Sequence, residues 1–456
     1  MRNILIIGAG RSATSLIKYL LDKSQAESLF VTIGDLSEEN AQKYTQGHSN
    51  AKGIYLDVFN KEDRQKAIQE ADLVISMLPA RFHIEAAKDC ISFGKHLVTA
   101  SYVSKEMQSL DEEAKAKGLV FMNEIGVDPG IDHMSAMQVI DRIRDGGGKM
   151  LLFESFTGGL IAPESDDNLW HYKFTWNPRN VVVAGQGGAA EFIQEGTYKY
   201  IPYHKLFRRT EFLDIEGHGR FEAYANRNSL KYRSVYGLED ILTLYRGTMR
   251  RVGFSKAWNM FVQLGMTDDS YTIPDSENLS YRDFINLFLP YSPTDSVELK
   301  TRYALKIDQD DLMWYKLLEL DLFNAEKKIG IKDASPAKAL QKILMDKWTL
   351  KEDDKDMIVM YHKFGYELNG MKKQIDSNMV VIGENQTYTA MAKTVGLPVA
   401  MAALRILNKE ITTPGVQIPI SKEVYEPILK ELEEYGVTFK ENFADYLGYN
   451  PNNVSG

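Results

Sequence analysis

The chain has 456 residues, 44% hydrophobic and 26% charged, an ordinary composition for a protein with real cores. At roughly 100–200 residues per domain, about two to four domains are expected. A formal net charge of −9 and a pI of about 5.6 exclude a basic nucleic-acid footprint, so no nucleic-acid partner is expected. The single cysteine, Cys90, excludes an internal disulfide and a thiolate metal cage; within HIEAAKDCISFG it reads as a buried, inert thiol in a helix. Met1 leads directly into a short apolar strand, without a charged leader or a small-residue cleavage site, and no apolar run reads as long enough for a bilayer. A reducing, cytoplasmic setting without a membrane partner is therefore expected.

The opening, MRNILIIGAGRSATSLIKYLLDK, reads as a strand over Ile4–Ile7 ended by glycine. From Ser12 the apolar residues Leu16, Ile17, Leu20 and Leu21 recur at helical spacing. Between strand and helix lies a GxGxxA motif. Gly8 suits the tight turn, Gly10 lets the backbone approach a pyrophosphate, and Ala13 is small enough for the helix to pack on the strand. The helix N-terminus, with Arg11 and Ser12, offers N–H groups and a positive dipole end to the phosphates. SLFVTIGDL reads as a second strand ending at Asp35. An acidic residue there accepts hydrogen bonds from the adenosine ribose and repels a 2′-phosphate, so NAD is expected over NADP. The alternative is that Asp35 caps the helix SEENAQKY, a role Ser37 also fits.

Strand-like runs then recur at GIYLDV, ADLVISML, KHLVTAS and LVFMNEIGV, with helix-like segments between them. This alternation predicts a parallel, doubly wound α/β sheet of the Rossmann type. Ligands of such sheets bind outside the carboxyl ends of the strands, which here carry Asp57-Val58, Leu78-Pro79, Ser101-Tyr102 and Gly126 to Gly130. Past Ile131 the pattern changes. KMLLFESFTGG reads as a strand with a glycine-rich end, and DMIVMYHKFGYEL and KKQIDSNMVVIGE as an antiparallel pair. Between Tyr236 and about Leu350 the chain reads as helical, starting with LEDILTLYRGTMRRVGF. The small residues of MAKTVGLPVAMAA suit a C-terminal helix returning to pack closely on the first domain. The expected division is 1–128 with 388–456 as the dinucleotide-binding domain, 129–236 with 351–387 as a substrate-binding α+β domain, and 237–350 as a helical insertion.

Several longer motifs occur together. GVDPGIDHMSA resembles the GLDPGIDHxxA segment of glutamate-forming saccharopine dehydrogenases, and VTASYVS resembles their strand-end Ser-Tyr loop. SFTGGLIAPESDDN, YKFTWNPR, FEAYANRNSLKY, YRGTMR, YTAMAKTVGLPVAMAA and YEPILKELEEYGV resemble further segments of that family, in the same order over nearly the whole chain. The resemblance implies an oxidoreductase of lysine metabolism that interconverts saccharopine with glutamate and 2-aminoadipate 6-semialdehyde, using NAD or NADP. It also implies a Rossmann-type domain, a second α/β domain for the substrate and a helical part inserted in it. The chain departs from the family at Thr157, where a cysteine is usual, at Ala225 for a proline and at Asn228 for an aspartate. ISMLPARFH keeps Leu78, Pro79 and His83 but brings in Arg81.

Carried over residue by residue, the resemblance and the strand-end reading give a dinucleotide set. It comprises Gly8, Gly10, Arg11, Ser12, Ala13, Asp35, Leu36, Asp57, Val58, Leu78, Pro79, His83, Ser101, Ile125, Gly126, Val127 and Trp176. They give a substrate set of Ser101, Tyr102, Asp128, Thr157, Arg227, Arg246 and Thr248. Three carboxylates on the substrate call for guanidinium groups, which bind carboxylates as planar forks. Arg227 lies in the polar loop NRNS, and Arg246 and Arg250 lie four apart on one face of a predicted helix; Arg250 and Arg251 fit a solvated basic face better. Asp128 and Tyr102 are the expected catalytic pair, for proton acceptance from the amine and for relay or carboxylate binding. His133 reads as a packing residue of the following helix. The eight histidines form no HxxxH or acidic cluster, so no metal is expected. Two other readings share the scaffold: a carboxynorspermidine-type or related amino-acid dehydrogenase, and a dinucleotide-binding homologue without turnover. A homodimer through the strands near Met357 to Ile382 is one reading of the oligomeric state.

Overall fold

The computed structural model describes residues 1–446, Gly448 and the strand Val454–Ser455. The chain divides into two compact units, residues 1–148 with 379–440 and residues 149–378 with 441–456.

The first unit holds a parallel sheet built from β1 (Arg2–Ile7), β2 (Leu29–Asp35), β3 (Ala51–Tyr55), β4 (Leu73–Ser76), β5 (His96–Val98) and β6 (Val120–Met122). The strand order is 415–417, β6, β5, β4, β1, β2, β3, every neighbouring pair parallel. Ile4 to Ile7 and Leu73 to Ser76 are buried throughout, because central parallel strands are covered on both faces and need continuous apolar runs. The helices between strands include α1 (Thr14–Lys23), α2 (Glu38–Thr45), α3 (Lys61–Glu70) and α4 (His83–Phe93). Ser37 caps α2 by accepting from the Asn40 N–H, and the Asn60 side chain caps α3. The order reverses between β1 and β4, and that switch point is where open α/β sheets bind ligands.

Two C-terminal helices complete this unit. Helix Ala390–Leu407 packs on α1 so closely that a Cβ on Gly396 would stand 2.8 Å from the Leu16 nitrogen, as its small residues predict. By length and composition it is apolar enough to cross a membrane, contrary to the expectation that no apolar run is that long, but 72% of it is buried among the described residues. Helix Lys422–Glu434 packs on helix Ile131–Asp145, where the Tyr425 hydroxyl donates to Asp141 Oδ2 at 2.8 Å. That pairing carries the first unit on to Gly148, past the boundary expected at 128.

The second unit is a mixed sheet. Its strands include β7 (Lys149–Ile161), β8 (Ala190–Gln194), β9 (Thr197–Ile201), β10 (Thr210–Ile215), β11 (Gly219–Ala225), β12 (Thr243–Arg251), β13 (Asp356–Leu368) and β14 (Met371–Ile382). The order is 440–445, β14, β13, β7, β12, β11, β10, 454–455, with β8 and β9 branching from β12. The described strands 440–445 and 454–455 join this sheet, so the end of the chain groups with this unit and not with the first domain. The segment read as the start of a helical insertion is β12, parallel to β7 and antiparallel to β11. Its apolar residues, Arg246 and Arg250 are buried on both faces, which hides the alternation that marks a half-exposed strand. Helices follow from Phe254 to Trp348 without separating as a third compact unit. Their core is aromatic: Trp170 stacks on Phe261 at 5.5 Å and Phe254 on Trp258 at 5.7 Å, beside Trp348.

Candidate functional site

β1 ends in a cradle. Gly8 has φ +101°, and a Cβ there would stand 3.1 Å from the Met77 carbonyl, so both conformation and space require glycine. Gly10 is different: a Cβ on it would meet nothing within 4 Å. Its backbone faces open space at the start of a short turn, Arg11–Ala13, that leads into α1, and no side chain caps this end. Free N–H groups and the positive end of the helix dipole thus face the gap, the arrangement that a dinucleotide pyrophosphate occupies. Ala13 is fully buried under the helix, as its small size predicts.

Asp35 closes the cradle from the end of β2. Its Oδ2 accepts the Ala9 N–H at 2.8 Å and its Oδ1 the Ser37 N–H at 3.0 Å, while Asn40 Nδ2 donates to the Ala9 carbonyl at 3.0 Å. Ser37 caps α2, which leaves Asp35 to the glycine loop. Leu36 beside it is exposed, Asp57 accepts the Phe59 N–H at 2.9 Å, and Val58 is buried. Leu78 and Pro79 follow β4. The structure therefore gathers Gly8, Gly10, Arg11, Ser12, Asp35, Leu36, Asp57, Val58, Leu78 and Pro79 at the carboxyl ends of neighbouring strands.

The loops after β5 and β6 are laced together on the same edge. The Glu124 N–H donates to the Ser101 carbonyl at 3.0 Å, the Glu124 carboxylate accepts the Val103 N–H at 3.0 Å, and the Ile125 N–H donates to the Thr99 carbonyl at 3.4 Å. His133 Nε2 lies 2.9 Å from the other Glu124 oxygen, fully buried, so its role is to hold this loop. The turn at Asp128-Pro129-Gly130 is compact. The Gly126 N–H donates to the Pro129 carbonyl at 2.8 Å, and the Gly130 N–H to Asp132 Oδ1 at 2.6 Å. A Cβ on Gly130, φ +146°, would overlap the Gly126 backbone. Ile125 and Val127 point into the core, so only their backbone is available to a ligand. This lacing brings the two expected catalytic residues together: the Tyr102 hydroxyl donates to Asp128 Oδ1 at 3.2 Å. His83, expected among the dinucleotide contacts, is buried, with Ser76 Oγ 2.8 Å from Nδ1 and Ser101 Oγ 2.7 Å from Nε2. Burial pushes its pKa down to about 4, so the ring is neutral at physiological pH.

In the second unit, one face of the sheet collects the expected substrate groups. Arg246, Thr248 and Arg250 alternate along β12 and so share a face, as residues two and four apart do in any strand; Thr248 registers with Thr157 of β7. The loop after β11 grips Arg246 by its backbone: the Arg246 N–H donates to Ser229 Oγ at 3.0 Å, and its carbonyl accepts the Asn226 N–H at 2.9 Å. That places the exposed Arg227, at φ 35°, next to it in the same loop. The Arg246 guanidinium lies 4.3 Å over the Tyr232 ring. Arg250 is not on a solvated basic face. It is 5% exposed, caged by Tyr172 at 5.1 Å and Phe254 at 5.3 Å, and its Nε has no hydrogen-bond partner among the described residues. Thr157 Oγ1 and Thr175 Oγ1 are likewise buried without partners, and Trp176 beside Thr175 is half-buried. Buried polar atoms left unmatched are costly, so such a set fits a polar ligand. The sequence alone puts Arg250 on a solvated face, because the rings that bury it, Tyr172, Tyr224 and Phe254, come from three separate segments. Among the described residues, no group of three or more histidine, cysteine or carboxylate side chains is placed to hold a metal ion.

Two family models match the chain: a saccharopine dehydrogenase NADP binding domain over residues 4–122 and a saccharopine dehydrogenase C-terminal domain over residues 126–437. The saccharopine dehydrogenase [NADP(+), L-glutamate-forming] of Schizosaccharomyces pombe is 31% identical over 460 residues, covering 98% of this chain and 100% of that protein. That of Saccharomyces cerevisiae is 32% identical over 447 residues, covering 96% and 99%. The mitochondrial alpha-aminoadipic semialdehyde synthase of Rattus norvegicus is 33% identical over 96% of this chain but only 47% of its own length, so the chain spans about half of that relative. Among solved structures, apo saccharopine dehydrogenase (L-Glu forming) from Saccharomyces cerevisiae superposes with a TM-score of 0.88 at 31% identity, covering 97% of this chain and 100% of that one. The fungal relatives are named for NADP(+), which opposes the NAD expected from Asp35.

Proposed function

Because the chain belongs to the saccharopine dehydrogenase family, we propose that it oxidises the CH–NH bond of saccharopine and hydrolyses the product to L-glutamate and 2-aminoadipate 6-semialdehyde, in a reversible reaction of lysine metabolism. The observation that carries this reading is the Tyr102–Asp128 pair, held at 3.2 Å on the strand edge that also carries the glycine cradle. The open backbone at Gly10 and the uncapped start of α1 would hold the pyrophosphate, and Asp35 would hold the adenosine ribose. The dinucleotide supplies, when bound, the acceptor for a hydride from the carbon that becomes the aldehyde.

The rest is the work of this chain's own groups. Asp128 takes the proton released as the secondary amine becomes an imine, with Tyr102 aiming its carboxylate. Water then adds to the imine carbon, and the carbon–nitrogen bond breaks to release glutamate as the amine product. Arg227, Arg246 and Arg250 match the carboxylates of the substrate, with Arg246 fixed by its stacking on Tyr232. The choice of dinucleotide rests on residues of this chain. Asp35 and the acidic start of α2, Glu38 and Glu39, disfavour a 2′-phosphate and support NAD, against the NADP(+) of the relatives' names. A buried lone cysteine, Cys90, is in keeping with a cytoplasmic setting.

The test is reduced-nicotinamide formation by the purified protein with saccharopine, with NAD and NADP(+) compared. Turnover with either supports the reaction, and the ratio decides the dinucleotide. No turnover with either at alkaline pH and high substrate would sink the reading.

A further inference from the structure

Ser76, at the end of β4, is fully buried, and among the described residues the partner of its hydroxyl is His83 Nδ1, at 2.8 Å. On the other side of the ring, Nε2 faces Ser101 Oγ at 2.7 Å and Thr99 Oγ1 at 3.3 Å. Thr99 Oγ1 also accepts the Ser101 N–H at 3.3 Å. A neutral imidazole has one donor and one acceptor, so the two ends of this chain of bonds cannot be chosen independently. If Nδ1 carried the proton, the Ser76 hydroxyl hydrogen would be stranded in the core. If Nε2 carries it, Ser76 donates to Nδ1 at 2.8 Å, and what is given up is donation by the buried Thr99 hydroxyl to Nε2, the longer contact at 3.3 Å. Nε2 then donates to Ser101 Oγ, shared with Thr99. Ser101 has its oxygen engaged from behind, and its own O–H is left to point outward from the strand end, where Ser101 is half-exposed.

We propose that His83 is a positioning residue that fixes Ser101 as a hydrogen-bond donor toward a carboxylate oxygen of the bound substrate. This rests on the functional reading above for the identity of that substrate; the direction of the hydrogen bonds does not. Ser76 sets the tautomer, the tautomer sets the donor, and the ligand meets a hydroxyl that is already aimed. An aimed donor favours a carboxylate over an amine at that spot, because an ammonium group would bring a second donor to it.

Two measurements test this. The first is the nitrogen-15 spectrum of the histidine side chains, with His83 assigned by its loss in His83→Gln. A protonated Nε2 and bare Nδ1 are expected, and a protonated Nδ1 overturns the proposal. The second is a set of variants assayed with saccharopine. His83→Asn, which reaches Ser76 but not Ser101, is expected to raise KM about tenfold with kcat changed less than about twofold. His83→Gln, whose amide N–H reaches Ser101, recovers most of that loss. Ser76→Ala, a small change that keeps the fold, raises KM several-fold. In a Ser101→Ala background neither His83→Asn nor Ser76→Ala has a further effect, since residues acting as one unit are not additive. Additive losses, or losses in kcat alone, overturn it. A wild-type protein without turnover would sink the functional reading while leaving the spectrum to decide the tautomer on its own.

Discussion

Replacing Asp35 by asparagine isolates the choice between the two dinucleotides. The carboxylate accepts the Ala9 N–H at 2.8 Å and the Ser37 N–H at 3.0 Å. Asparagine keeps the acceptor for Ala9, which shapes the glycine loop, and gives up the more exposed bond to Ser37. What it removes is the negative charge. Two unit charges 4 Å apart interact by about 1 kcal/mol in bulk water and by about 4 kcal/mol at an effective dielectric of 20. A half-exposed carboxylate facing a doubly charged 2′-phosphate falls between these limits, at about 2–3 kcal/mol of repulsion that NAD does not feel. The ratio of kcat/KM with NAD to kcat/KM with NADP(+) should therefore fall roughly 30- to 150-fold on substitution. Damage to the loop cancels in that ratio, since both dinucleotides share the pyrophosphate cradle. The assay is initial-rate kinetics with saturating saccharopine at low ionic strength; added salt should shrink the effect, because the groups are near the surface. A wild type that already favours NADP(+), or a ratio that moves by less than about twofold, refutes the reasoning.

Other expectations follow from the same geometry. Asp128→Asn should lower kcat about 100-fold or more while leaving dinucleotide binding, read by titration, nearly unchanged; a kcat within about tenfold of wild type removes Asp128 as proton acceptor. Arg246→Met, which keeps the bulk over Tyr232 and drops the guanidinium, should raise the saccharopine KM by about 30- to 100-fold at little cost in melting temperature. An unchanged KM takes Arg246 out of substrate binding. Glu211 is a stability probe on the opposite face of the second sheet: burial next to Glu154 raises its pKa from 4.5 to about 8. The folded chain keeps this proton where the unfolded chain has released it, so the contribution of Glu211 to stability falls as pH rises from about 4.5 to 8 and is flat above. Glu211→Gln should remove that slope and raise the melting temperature at pH of about 8, by a free energy on the order of 2 kcal/mol. A variant whose pH profile parallels the wild type contradicts the assignment.

What could be read from the sequence was what neighbouring residues decide. The apolar runs at Ile4–Ile7 and Leu73–Ser76 mark parallel strands, because such strands must be apolar on both faces. Gly8 could be read from a turn only glycine makes, and Gly396 from a helix surface too small for anything but close packing on Leu16. What could not be read depends on residues brought together by the fold. The first unit runs to Gly148 because helix Ile131–Asp145 has its partner in Lys422–Glu434, far along the chain. β12 reads as a helix in the sequence because Arg246 and Arg250, charged residues of the kind that mark an exposed face, are buried. Arg246 and Arg250, four apart, share a face in either structure, so the inference about their common direction survived an incorrect secondary structure.

His83 shows the same limit at the level of a single side chain. Its place in the sequence puts it at the dinucleotide edge, after Leu78 and Pro79. The positioning role proposed for it rests on the hydroxyls that meet its two nitrogens, one from the end of β4 and one from the loop after β5. Neither serine forms a motif with the histidine, since they stand 7 and 18 residues away, one at the end of β4 and one just beyond its neighbour β5. Parallel strands in register bring their carboxyl ends to one edge whatever the crossover lengths are. A short hydrogen-bonded chain across that edge is therefore a product of the sheet itself, and the edge is where a histidine can set the direction of a neighbour without touching a ligand.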